Sequence, residues 1–325
     1  MSELPISFDD VLDARRRIAP YLSPTPLYAY AELDETVGQG IRVFVKHENF
    51  NPTNSFKVRN GLSFMSDLTA EQRERGVVAA TRGNHGLGVA FAGRVFDARV
   101  TICVPVGNNP EKNAGMRALG ARLIEEGLDY DEAVAVADRI RRAEGATLAH
   151  STNDTRVIAG AGTLSLEMLE RQPTLDAIVM GIGGGSQAVG ALAVASALKP
   201  GLSVYGVQAA GAAAGHDSWH TGQRVYYQTA DTIADGLATR TAYEMTFMAL
   251  RHGLTDFITV TDGEIAESVR LLLRITHSLV EPAGAAGLAG LRKLAPRLAG
   301  KSVGIVVSGA NVDAGTLRRI LNAEI

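Results

Sequence analysis

Short β-branched runs alternate with amphipathic stretches along most of the chain, and this alternation restricts the fold more than any other feature. Candidate strands fall at 41–45, 77–81, 100–104, 121–125, 147–149, 177–180, 203–208, 257–260 and 302–308. Helix-like stretches lie between them, among others at 130–144, 162–171, 262–278 and 283–294. Strands separated by helices imply βαβ units and therefore parallel sheets. The runs at 177–180, 203–208 and 302–308 are continuously apolar, as strands covered on both faces are. Residues 77–149 form a self-contained βαβα series, which reads as a small domain inserted in a larger one made of 1–76 and 150–325. The expected fold is α/β with two parallel-sheet domains, and the crevice between them is the default ligand site. Residues 209–228 read as irregular.

Several function classes drop out on composition. With 325 residues the chain can bury a sizeable core, and its formal charge of -3 is spread without a basic block, so no nucleic-acid partner is expected. The first residues lack the basic and apolar regions of a signal peptide, and charges or glycines interrupt every apolar run, so no membrane partner is expected either. The lone Cys103 sits in an apolar run and excludes a disulfide framework or a cysteine metal cluster. A cytoplasmic location follows as the expectation.

The segment Asn51-Pro52-Thr53-Asn54-Ser55-Phe56-Lys57-Val58-Arg59-Asn60-Gly61 carries the first chemical signal. Its turn-forming residues predict a loop, with Ser55 as N-cap of a helix that holds Lys57 in its first turn. Apolar neighbours and a helix N-terminus both disfavour the ammonium form, as a nucleophilic, Schiff-base lysine requires. A second signal is the run Gly183-Gly184-Gly185-Ser186-Gln187, between a strand and a helix. Such a turn presents backbone N–H groups and a helix N-terminus to an anion. It lacks the Lys-Ser/Thr ending of a P-loop and any acidic ribose ligand, so it suits a small phosphate. The third signal, Thr81-Arg82-Gly83-Asn84-His85-Gly86, is again a strand-to-helix turn and suits a substrate carboxylate, while the Asn84 amide can hold a phenolic oxygen. The fourth places Ser308 at the end of a buried strand.

Together these residues resemble the fold-type II pyridoxal-phosphate enzymes, and within them the threonine/serine dehydratase and serine racemase group. The resemblance runs nearly end to end, from Thr25-Pro26-Leu27 and Lys46-His47-Glu48-Asn49 through the lysine, asparagine and glycine motifs to Asp235-Gly236, Glu281-Pro282-Ala283-Gly284 and the stretch from Ser308 to Asp313. It implies pyridoxal 5'-phosphate as cofactor, with the two-sheet architecture of the tryptophan synthase β subunit. It also implies Lys57 as the Schiff-base and catalytic residue, Asn84 at the cofactor's 3-oxygen, Gly183 to Gln187 around the phosphate and Ser308 facing the ring nitrogen. Phe56 would pack beside the ring and Gly236 would line the site. Thr81, Arg82, Gly83, Asn84 and His85 would face the substrate. The implied activity is elimination of water from a β-hydroxy-α-amino acid, of the threonine or serine type or else 3-hydroxyaspartate or phenylserine, to give a 2-oxo acid and ammonia. A homodimer or higher homo-oligomer is expected.

Departures from the family pattern sharpen this. Asn60 stands where the group has glycine, and Arg82 replaces the small hydroxyl residue that serves the racemases as second base. Arginine keeps its proton, so racemisation is disfavoured. Arg82 either pairs with a distal substrate carboxylate, packs beside an aromatic ring, or turns away from the cleft. Gln208 and Ala214 occupy places where relatives bind a divalent cation, and His216 and His220 lie in a stretch read as loop, so no metal is expected. A β-replacement enzyme remains an alternative within the fold, and a non-catalytic Rossmann-like binding protein one outside it.

Overall fold

The computed structural model describes residues 4–325. Among these, ten strands are laid out in chain order as β1 (Leu27–Ala29), β2 (Arg42–His47), β3 (Val77–Ala80), β4 (Val100–Val104), β5 (Arg122–Glu125), β6 (Thr147–Leu148), β7 (Ala177–Gly181), β8 (Ser203–Ala209), β9 (Asp256–Val260) and β10 (Ser302–Val307). They form a six-stranded sheet, ordered β1-β2-β10-β7-β8-β9, and a four-stranded one, ordered β5-β4-β3-β6. Pairing is parallel throughout except where β1 runs antiparallel to β2, with Tyr28 opposite Val45. That short edge strand has no long apolar run to mark it in sequence, and the all-parallel expectation is corrected at this edge.

Apolar layers cover both faces of the large sheet. Helices Asp262–Thr276 and Pro282–Leu294 bury Val269, Leu272, Leu288 and Leu291 on one face, while Thr155–Arg171 and Ser186–Leu198 bury Ile158, Leu164 and Val189 on the other. Each such side chain, fully removed from water, contributes about 1.5–3 kcal/mol before entropy is subtracted. The small sheet packs Val136 and Ile140 of helix Tyr130–Glu144 on one face. Its other face is closed by helices Lys57–Ser66 and Asn84–Val95 through Val58, Leu62, Phe64 and Val89. These two helices touch backbone to backbone: a Cβ on Gly61 would lie 2.2 Å from the Gly88 carbonyl oxygen.

Two local expectations are corrected. Residues 209–228 are not wholly irregular, because Ala214–Thr221 is a helix that carries His216 and His220 with their rings 4.4 Å apart. The run of small residues concealed its period. Ser55 does not cap the lysine helix: Phe56 holds the cap position, and the buried Ser55 hydroxyl has no partner among the described residues. Cys103 lies fully buried in β4.

Candidate active site

The lysine, asparagine, glycine-run and serine motifs follow the carboxyl ends of parallel strands, where helix starts leave a crevice between the sheets. β3 ends into Thr81-Arg82-Gly83, β7 into the glycine run, and β10 into Ser308. The cavity they enclose holds about 590 Å³. Phe56, Lys57, Thr81, Arg82, Gly83, Asn84, His85, the run from Gly183 to Gln187, Gly236 and Ser308 all line it.

Lys57 opens its helix, and its Nζ donates to the Ser151 carbonyl at 3.1 Å and sits 5.1 Å from the centre of the Phe56 ring. Burial lowers its pKa to about 8, which brings the neutral form within reach near neutral pH. The opposite face of this helix is pinned by a buried ion network. Arg59, 1 % exposed, donates to Glu48 at 2.7 and 2.9 Å and to Glu167 at 2.6 and 2.9 Å. Lys46 completes the neutral set by pairing with Glu167 and donating to the Thr25 carbonyl at 2.8 Å. Burial would raise the Glu48 carboxyl, yet Arg59 beside it holds it below its ordinary value.

The glycine run fits an anion. Gly185 has φ +96°, and a Cβ on Gly183 would lie 2.3 Å from the Gly236 carbonyl oxygen, so the chain packs there without room for side chains. A Cβ on Gly184 would lie 2.0 Å from Thr152 Oγ1, which places a hydroxyl from the β6 loop beside the glycines. Thr152 escaped sequence reading, since nothing marks its loop except proximity in space. Ser186 starts the helix and accepts from Asn60 Nδ2 at 3.4 Å, leaving its own proton free. Asn60 therefore joins the lysine helix to the glycine-run helix.

Asn84 has its amide orientation set from both sides. Its Oδ1 accepts from Asn311 Nδ2 at 2.7 Å, and its Nδ2 donates to Glu281 Oε1 at 2.6 Å. One amide hydrogen remains for a ligand. Burial pushes the Glu281 carboxyl up to about 7. At the mouth, Lys112 donates to Asp235 at 3.0 Å, and Arg240 pairs with Asp129 and Asp131. Tyr130, Tyr226 and Tyr243 add aromatic surface there. Arg82 is exposed on the cavity wall and makes no ion pair among the described residues. The sequence missed Lys112, Arg240 and the tyrosines because their partners come from distant loops.

Away from the cavity, Gln208 is buried, accepting from the His216 backbone N–H at 2.9 Å and donating to Thr239 Oγ1 at 3.2 Å. His216 pairs with Asp217 at 2.7 Å and His220 with the Phe257 carbonyl at 3.1 Å. Among the described residues no three His, Cys, Asp or Glu side chains converge as metal ligands. No helix of the described residues is long and apolar enough to cross a membrane.

The family model of pyridoxal-phosphate dependent enzymes matches residues 18–309. The chain belongs to that family. It is 36 % identical over 307 residues to an L-threo-3-hydroxyaspartate ammonia-lyase of Pseudomonas sp, covering 94 % of this chain and 96 % of that protein. It is 35 % identical over 318 residues to an L-threonine ammonia-lyase of Thermotoga maritima, covering 98 % of this chain and 78 % of that one. Its fold superposes on maize serine racemase with a TM-score of 0.92 at 31 % identity, covering 98 % of each chain. The architecture is that of the fold-type II pyridoxal-phosphate enzymes, and pyridoxal phosphate is the family's cofactor.

Proposed function

We propose that this enzyme is an ammonia-lyase acting on a β-hydroxy-α-amino acid with a second carboxylate, of the 3-hydroxyaspartate type, and that it releases a 2-oxo acid and ammonia. The observation that carries the choice of substrate is Arg82. It is a cation on the cavity wall without an acidic partner among the described residues, whereas Lys112 and Arg240 at the mouth are each paired. A guanidinium suits bidentate binding of a distal carboxylate. The Pseudomonas relative's name agrees with that chemistry.

In this reading the N–H groups at the glycine run, with the hydroxyls of Ser186 and Thr152, hold the cofactor's phosphate. The free amide hydrogen of Asn84 takes its phenolic oxygen, Ser308 faces its ring nitrogen, and Phe56 packs beside the ring. Once bound, pyridoxal phosphate supplies the electron sink for the reacting carbon. The chain's own residues do the rest. The helix start at Gly83–His85 binds the α-carboxylate through backbone N–H groups. Lys57 Nζ, its pKa lowered by burial to about 8 and directed by the Ser151 carbonyl, takes the α-proton in its neutral form. The paired mouth residues limit water entry. Arg82, which cannot give up its proton, offers no second base, and this favours elimination over racemisation.

A second reading rests on Tyr130, Tyr226 and Tyr243, whose rings give the mouth an aromatic side that suits a phenylserine-type substrate. Parallel kinetics of wild type and Arg82→Ser on 3-hydroxyaspartate, threonine and phenylserine separate the two. A charged hydrogen bond worth about 1.5–3 kcal/mol predicts a ten- to hundredfold loss of kcat/KM confined to the dicarboxylate. Equal losses on all three remove the selectivity assignment. We further place the enzyme in the cytoplasm as a homo-oligomer. The aromatic edge at β1, where Tyr28 is 52 % and Phe50 53 % exposed, supports self-association, and a solution mass equal to one chain would contradict it.

A further inference from the structure

His150 stands one residue before the carbonyl that holds Lys57, and its ring lines the cavity. Its Nδ1 accepts two backbone N–H groups, from Thr152 at 3.0 Å and from Asn153 at 2.8 Å. A nitrogen that accepts carries no proton, so in the neutral ring the proton lies on Nε2. Nε2 has no hydrogen-bond partner among the described residues, and it is not one of the polar atoms sealed away from solvent. The ring packs edge to face on Tyr243, with centroids 5.6 Å apart. His85, its neighbour across the loop, is arranged the other way. Its Nε2 bonds the Ala149 carbonyl at 2.8 Å and its Nδ1 is buried, so its ring ties the loop and presents no free N–H to the cavity. Burial and the nearby Lys57 hold His150 below its ordinary pKa, consistent with a neutral ring.

Five oxygen-bearing groups of a bound dicarboxylate substrate and cofactor need donors, and in the reading above Asn84 takes the phenolic oxygen and Arg82 the distal carboxylate. The glycine run serves the phosphate and the helix start at Gly83–His85 serves the α-carboxylate. The oxygen on the β-carbon is left without one, and the free N–H beside Lys57 is His150. We propose that His150 Nε2–H donates a hydrogen bond to the substrate's β-oxygen and orients it for departure. This rests on the lyase reading above. The bookkeeping of the step closes within the chain. The C–O bond breaks with its electron pair passing to oxygen, and the proton that makes it water is the one Lys57 Nζ took from the α-carbon. His150 keeps its proton and stabilises the developing charge on the leaving oxygen.

The test separates this role from simple support of the loop. In His150→Asn the side-chain oxygen can take the place of Nδ1 and accept the same two N–H groups, as asparagine does in local turns, but nothing replaces Nε2–H. The readout is turnover on a hydroxylated substrate relative to β-chloroalanine, whose chloride leaves without a donor. This ratio does not depend on the folded fraction of the sample. The expected result is a ratio reduced about ten- to hundredfold through kcat, the effect of one hydrogen bond to a developing charge, with cofactor absorbance retained. His150→Gln, which extends an amide N–H towards the Nε2 position while giving up the loop bonds, should recover part of the ratio. An unchanged ratio in His150→Asn, or equal losses on both substrates, overturns the assignment. Wild-type turnover on the hydroxylated substrates reads the parent activity independently, so failure of the lyase reading shows there and not in the variant.

Discussion

Asn84 donates its amide to Glu281 across the cavity at 2.6 Å, tying the helix start after β3 to the helix start at Pro282. The acceptor is a carboxyl that burial has pushed up to about 7 from its ordinary value near 4.5. The folded state therefore keeps a proton that the unfolded chain has lost between those two values. Where the native state binds more protons, stability falls as pH rises. The apoenzyme should lose roughly 3 kcal/mol across that window from this group. Glu281→Gln should leave melting temperature flatter with pH and raise it at pH 8 relative to wild type. Identical pH profiles for the two proteins would contradict this.

Lys57 should show its lowered pKa directly. Burial brings it to about 8, so the rate at which apoenzyme reacts with pyridoxal phosphate should climb with pH around that value. Absorbance measured across pH 6 to 10 follows it. Lys57→Ala should abolish turnover and the covalent attachment of cofactor by borohydride while leaving circular dichroism unchanged. A midpoint near that of a free lysine would show that the amine is solvated.

Removing Arg59 should be costly. Arg59→Met leaves Glu48 and Glu167 buried without their fork-shaped partner, and stranding a buried charge costs about 3–5 kcal/mol. Arg59→Lys should recover only part of it, because an ammonium cannot bond both carboxylates in parallel. Denaturant midpoints check both, and a loss under 1 kcal/mol in Arg59→Met would mean that water enters and solvates the pair.

Gly183→Ala should weaken cofactor binding more than folding. Its Cβ would lie 2.3 Å from the Gly236 carbonyl oxygen, and backbone cannot rotate away as a side chain can. Overpacking of this kind costs about 1–3 kcal/mol, equivalent to roughly ten- to a hundredfold in affinity if the strain falls on the phosphate turn. Equilibrium titration with pyridoxal phosphate reads it, and unaltered affinity would place the phosphate elsewhere.

Strands at 100–104 and the helix at 130–144 were legible to the residue because β-branched runs and a full amphipathic period mark them. The lysine, asparagine, glycine-run and serine motifs that line the cavity were legible because each sits in a glycine- or hydroxyl-bearing turn after a strand. What escaped reading depends on partners far apart in sequence. Asp235 reaches Lys112 and Arg240 reaches Asp129 only after both sheets are built. Ser55 looked like a cap because its chemistry suits one, but the chain turns one residue later and leaves it buried. The helix at Ala214–Thr221 was hidden by small residues that carry no hydrophobic period.

The contact between Gly61 and Gly88 leaves no side chains on which the two helices could slide. Lys57 and Asn84 stand at the starts of those helices, so their separation is fixed by backbone and they travel as one body. The Phe56 N–H also donates to the Ser308 carbonyl at 3.0 Å, so the end of β10 belongs to the same body. The spacing of amine, amide and serine is thus set by main chain before any ligand arrives.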